Sequence, residues 1–141
     1  MQGIWRRAGL ITYLWIALGS ALGGMARYGC SKLVAVSVGG TFPLGTLSVN
    51  VIGSLIIGFF ATLTGPDGRV MTSQDTRNFV MIGLCGGYTT FSSFSIETLN
   101  LVRGGEILRA GLNVGVSVVF CLIAVWLGHV AAAMINQLRG S

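Results

Sequence analysis

The stretch Gly83 to Asn100, GLCGGYTTFSSFSIETLN, places polar chemistry inside a long apolar run. It holds Gly83, Gly86 and Gly87, then the hydroxyls of Thr89, Thr90, Ser92, Ser93, Ser95 and Thr98. Two aromatics, Phe91 and Phe94, and one carboxylate, Glu97, interleave with them. In hydrocarbon, a polar group without a partner costs several kcal/mol. Such a segment survives in a membrane by facing protein or a water-filled path. Polar clusters on interrupted membrane helices are default candidates for an ion or substrate site.

The pair Gly86-Gly87 predicts the interruption, because glycine costs about 1 kcal/mol in a helix interior. The first half-helix then ends in orphan carbonyls and a negative dipole end. Those carbonyls offer a hard-oxygen site for a small cation such as Na⁺. Thr89 or Thr90 can cap the second half-helix, whose N-terminal N–H groups attract anions. The competing interpretation is a glycine kink repaired by threonine hydroxyls. Phe91, Phe94 and Thr98 share a helical face at i, i+3 and i+7. Ring edges attract anions and ring faces attract cations, and spacing leaves open which is presented.

Other helices contribute donors. Asn50 lies mid-run in LSVNVIGS with Ser54 one turn on. Its NH₂ offers two donors, and the same amide also serves as interhelical glue. Asn113, Ser117 and Cys121 recur every four residues as a weakly polar stripe. Hydroxyl and amide donors suit a strongly hydrated small anion, which needs replacement hydrogen bonds as it sheds water. Arg27 either snorkels to the membrane interface or forms a cationic mouth. Glu97 opposes an anion path unless it sits in a vestibule, is protonated or is paired. His129 reads as a structural histidine. No nucleophile–base–acid constellation is present, so the chain does not read as an enzyme.

The elements that must position these groups are membrane helices. Of 141 residues, 52% are hydrophobic and 9% are charged, against about 25% charged in an average soluble domain. A span needs roughly 20 apolar residues. Four runs qualify, at about 10–36, 44–63, 79–102 and 107–135, in one domain covering 1–141. The fold class is all-α integral membrane, with the third helix broken. Arg6 and Arg7 before Leu10 to Leu18 imitate a signal peptide, but the start reads as a first span with a basic anchor. Cys30, Cys85 and Cys121 are odd in number and sit in apolar contexts, so they read as small hydrophobes.

The net charge of +5 reads as membrane topology rather than nucleic-acid binding, because the basic residues are scattered. Four spans put both termini on the side of the second-to-third loop. Arg6, Arg7, Arg69, Arg77 and Arg139 lie there, against Lys32, Arg103 and Arg109, with Arg27 nearby. So small a bias permits both orientations, and antiparallel pairing of two copies with it. Gly19/Gly23, Gly83/Gly87 and Gly111/Gly115 are GxxxG pairs, which serve self-association and packing within one subunit equally.

The run GGYTTFSSFSIET at Gly86 to Thr98 resembles the signature of the small fluoride channels, the Fluc or CrcB family. GTLSVN at Gly45 to Asn50 and GMARYG around Arg27 resemble that family's second-helix and first-helix motifs. The similarity spans nearly the whole chain. It implies a dual-topology antiparallel homodimer with two fluoride pathways. It further implies that Phe91, Phe94, Asn50 and Ser117 line the pathways, with Ser92, Ser93 and Glu97 along the polar route and Arg27 at a vestibule. By the same matching, the backbone carbonyls of Gly86 and Thr89 hold a structural Na⁺ at the dimer centre. Ser93 stands where many relatives have threonine, and Tyr88 where the residue is often aliphatic. The implied role is passive fluoride export across the bacterial inner membrane.

Two other functions compete. A small dual-topology proton-coupled exporter of organic cations would use Glu97 as its membrane carboxylate. A packing or assembly subunit would use Asn50 and Ser117 for stability alone.

Overall fold

The computed structural model describes residues 2–137, with side chains from residue 9 onward; Arg6, Arg7 and Arg139 of the charge count therefore lie outside the described side chains. Helix α1 covers Gln2–Val38, and α2 covers Leu44–Leu63. Helix α3 is one continuous coil made of Gln74–Arg77, a π-wound stretch Asn78–Cys85 and Gly86–Tyr88. Helix α4 covers Phe91–Arg103, and α5 covers Ile107–Gln137. Helices α3 and α4 together form one span, so four segments are long and apolar enough to cross a membrane.

Local chemistry sets the turns. Gly39 and Gly40 take φ of +66° and +92°, conformations closed to most side chains, and Pro43 caps the start of α2. Ser73 caps α3 by accepting from the Thr76 N–H at 3.1 Å, so the third span starts at Gln74, earlier than the apolar run beginning at Phe79 predicts. The guanidinium of Arg77 donates to the backbone and hydroxyl oxygens of Thr64, satisfying the C-terminal end of α2.

Glycine decides how the helices cross. Gly19 and Gly23 of α1 lie against Gly83 and Gly87 of α3. A Cβ on Gly19 would stand 2.5 Å from the Phe79 carbonyl, and one on Gly87 would stand 2.6 Å from the Ser20 carbonyl. Two of the GxxxG pairs thus pack on each other within one subunit. Gly111 and Gly115 of α5 have nothing within 4 Å. Helices α2 and α5 form the other tight seam, where Gly58 meets the Val125 carbonyl and Gly128 meets the Leu55 carbonyl.

Hydrogen bonds fix which ends lie together. Thr12 donates to Asp75 at 2.7 Å, and the Arg69 N–H donates to Asn136 at 3.3 Å. The early part of α1, the α2–α3 loop and the end of α5 therefore share one side. At the other side, Arg109 donates to Thr41 at 2.6 Å and pairs with Glu106.

Candidate functional site

The third span breaks at Thr89 and Thr90, both extended, with φ/ψ of −87°/158° and −151°/117°. This corrects the position expected from Gly86-Gly87, which remain helical. Gly87 is required for the close approach of Ser20, so its role is packing. The chain leaves the helix where two β-branched residues stand in series and an outside partner takes over their backbone groups.

That partner is Asn50. Its Oδ1 accepts from the Thr90 N–H at 2.7 Å, and its Nδ2 donates to the Thr90 carbonyl at 3.0 Å. In an unbroken helix the Thr90 N–H would return to the Gly86 carbonyl. Here an amide side chain 40 residues away replaces the helical bond, so the break costs no orphaned backbone group at Thr90. Asn50 keeps one Nδ2 hydrogen for another acceptor. The Thr90 hydroxyl then caps α4, accepting from the Ser93 N–H at 3.1 Å.

Two cavities share Thr90 as a wall residue. One, of about 350 Å³, is largely apolar and is lined by Asn50, Ser54, Cys85, Phe91, Phe94, Ser117 and Cys121, among others. Its Phe91 and Phe94 rings are tilted 45° with centroids 5.2 Å apart. Phe91 is 78% exposed, so in one copy of the chain this aromatic wall is open on one side. The other cavity, of about 360 Å³, is the more polar of the two and is lined by Arg27, Tyr28, Ser31, Lys32, Thr46, Ser93 and Glu97 with Thr90, among others.

The expected site residues thus divide between two chambers. Asn50, Phe91, Phe94 and Ser117 gather in the apolar one, together with Gly86 and Thr89. Arg27, Ser93 and Glu97 gather in the polar one. Ser92 lies within 3.1 Å of the Thr90 hydroxyl. Glu97 has no basic partner among the described residues: Thr46 donates to its Oε1 at 2.7 Å, and its Oε2 is buried without a hydrogen bond. Lys32 instead stands 5.7 Å from the Tyr28 ring centre. His129, expected to be structural, stands 2.8 Å from the Thr62 hydroxyl.

Sequence reasoning missed Thr46, the partner of Glu97. It noticed the stripe Asn113, Ser117 and Cys121 but not its linkage. Asn113 is 2% exposed and donates to the Thr98 hydroxyl at 2.8 Å. A polar residue repeated every four positions on α5 was the available signal.

Fold and site together define a multi-pass membrane protein whose third span is interrupted between an aromatic chamber and a cationic one. Its sequence matches the model of one family, described as CrcB-like protein, Camphor Resistance (CrcB), over residues 14–129, and the chain belongs to that family. Similar proteins carry the name fluoride-specific ion channel FluC. One from Methylocella silvestris is 61% identical over 129 residues, covering 92% of this chain and 98% of the relative. One from Opitutus terrae is 61% identical over the same shares of both chains. One from Rhodospirillum rubrum is 59% identical over 127 residues, covering 90% and 98%.

Proposed function

We propose that this chain is a fluoride-selective channel giving passive export across a bacterial membrane. It is an ion channel and not an enzyme, in keeping with the names of relatives that match nearly its full length. The observation that carries the reading on this chain is that Thr90, its backbone taken over by Asn50, lies in the walls of both chambers. Arg27 and Lys32 raise the local anion concentration in the polar chamber. Ser93, Ser92 and the spare Nδ2 hydrogen of Asn50 supply donors as the anion loses water. Phe91, Phe94 and Ser117 line the apolar chamber, where ring edges would attract the anion. Carboxylate Glu97 lines the same polar chamber as Arg27 and Lys32, so the chamber carries two cationic side chains against one carboxylate.

The open side of the aromatic chamber calls for a second copy of the chain. The weak charge bias allows opposite insertion, so the pair is an antiparallel, dual-topology homodimer with two pathways. The glycine face at Gly111 and Gly115 is free for close helix contact. Na⁺ fits the dimer centre. The Gly86 carbonyl has lost the Thr90 N–H to Asn50, and extended Thr89 turns its carbonyl out of the helical ladder. One copy offers two such oxygens, and a hard cation wants about six, so two copies fit the ion better than one. Held by the Gly86 and Thr89 carbonyls of both copies, such an ion would supply positive charge between the two breaks.

The reading is tested in cells made fluoride-sensitive by loss of their own export. Expression of the chain should restore growth on fluoride, and Asn50→Asp should not. Equal growth with the empty vector would overturn it.

A further inference from the structure

Behind the aromatic chamber runs a chain of three hydrogen bonds that the pathway as described does not use. Ser117 Oγ donates to Asn113 Oδ1 at 3.5 Å, Asn113 Nδ2 donates to Thr98 Oγ1 at 2.8 Å, and Thr98 Oγ1 donates to the Phe94 carbonyl at 2.7 Å. The direction of this chain is fixed from its far end. A carbonyl only accepts, so the single Thr98 proton is spent on Phe94. The Thr98 oxygen must then accept from Asn113, which turns Asn113 Oδ1 toward Ser117. Ser117 in turn points its only proton at Asn113 and its lone pairs elsewhere.

Asn113 is 2% exposed and does not line the chamber, whereas Ser117 and Phe94 both do. One buried amide therefore governs two groups on the pathway wall. It ties the turn of α4 that carries Phe94 to α5, through a short bond. It also holds the Ser117 proton, through a long one. At 3.5 Å the Ser117 bond is at the limit of useful length, so little is lost when the hydroxyl turns toward a stronger acceptor.

We infer that Asn113 is a positioning residue for anion passage, which seats the Phe94 turn and keeps the Ser117 hydroxyl weakly held and ready to turn to an anion in the chamber. The inference rests on the fluoride reading above. The anion acts through Ser117 and Phe94, and Asn113 never touches it. A firmly held hydroxyl would be a poor donor, and a free one would have to be ordered at each passage.

The test is fluoride and chloride efflux from proteoliposomes containing Asn113→Leu, the double variant Ser117→Ala/Thr98→Val, and the triple combination. Asn113→Leu should lower fluoride efflux about ten-fold, the order of one lost hydrogen-bond contribution. It should also narrow the fluoride-to-chloride ratio, which a change in amount of folded protein would leave unchanged. The triple variant should conduct no less than the double, because Asn113 acts through those two side chains. Wild-type efflux from Asn113→Leu, or a loss that adds in full to the double variant, would overturn the inference. If Asn113→Leu is not monodisperse, Asn113→Ser is measured by the same criteria, since serine is too short to bridge Ser117 and Thr98. A wild-type protein that passes no fluoride would instead sink the underlying function, so the two failures are distinct.

Discussion

Asn50 and Thr90 exchange two hydrogen bonds, at 2.7 and 3.0 Å, and so rebuild across two helices the backbone pairing that the third span gives up. Thr90 is 7% exposed, so its N–H and carbonyl have no recourse to bulk water. An unsatisfied buried group of this kind costs about 1–3 kcal/mol. The break is therefore as stable as the amide that closes it.

Asn50→Asp tests this relationship and conduction together. Aspartate has nearly the same shape and can still accept from the Thr90 N–H. Ionised, it cannot donate to the Thr90 carbonyl, and it sets a negative charge on an anion path. Fluoride efflux should fall at least ten-fold, equivalent to roughly 1.4 kcal/mol on the barrier. Asn50→Ala should also lower the thermal unfolding midpoint, because both Thr90 groups lose their partner. Unchanged melting in Asn50→Ala would show that the break is held by something else.

Glycine substitutions separate packing within a subunit from packing between subunits. A Cβ on Gly23 would meet the Leu84 carbonyl and stand 2.8 Å from the Tyr88 N, so Gly23→Ala should destabilise by about 1–3 kcal/mol. Within one copy a Cβ on Gly115 would meet nothing within 4 Å. If that face joins two copies, Gly115→Leu should shift the protein from dimer to monomer in size-exclusion light scattering. A dimer population identical to wild type would move the interface to another face.

Glu97→Gln distinguishes the channel from a proton-coupled exporter. Glu97 is held by Thr46 and lines the same polar chamber as Arg27 and Lys32. A channel needs no protonation cycle there. Vesicles bearing a proton gradient should therefore accumulate no quaternary ammonium dye, with or without the substitution. Dye uptake by wild type that vanishes in Glu97→Gln would favour the exporter.

The four spans were legible because hydropathy over 20 or more residues reports burial in lipid directly. The presence of a break was legible too, and so was Thr90 as a cap. Its position was not. Gly86-Gly87 looks like a breaker, yet Gly87 exists so that Ser20 can lie against it, a contact between segments far apart in sequence. The π-wound stretch Asn78–Cys85 left no local mark, and it lies where α1 presses on α3 through Gly19 and Gly83. Asn50 was recognisable as a mid-span amide needing a partner, but the partner's backbone identity was not. Thr46 passed unnoticed because a lone threonine near a helix start is ordinary until Glu97 is seen beside it.

The central claim is that the two chambers that share Thr90 carry fluoride and reject larger halides. It is tested most directly by anion efflux from proteoliposomes of the purified protein, read with fluoride and chloride electrodes in parallel. The account predicts rapid fluoride loss with chloride retained, and a strong reduction of that loss in Phe91→Ile, which keeps an apolar side chain but removes the ring edge. Fluoride retained as well as in protein-free vesicles, or chloride released at the same rate, would contradict it.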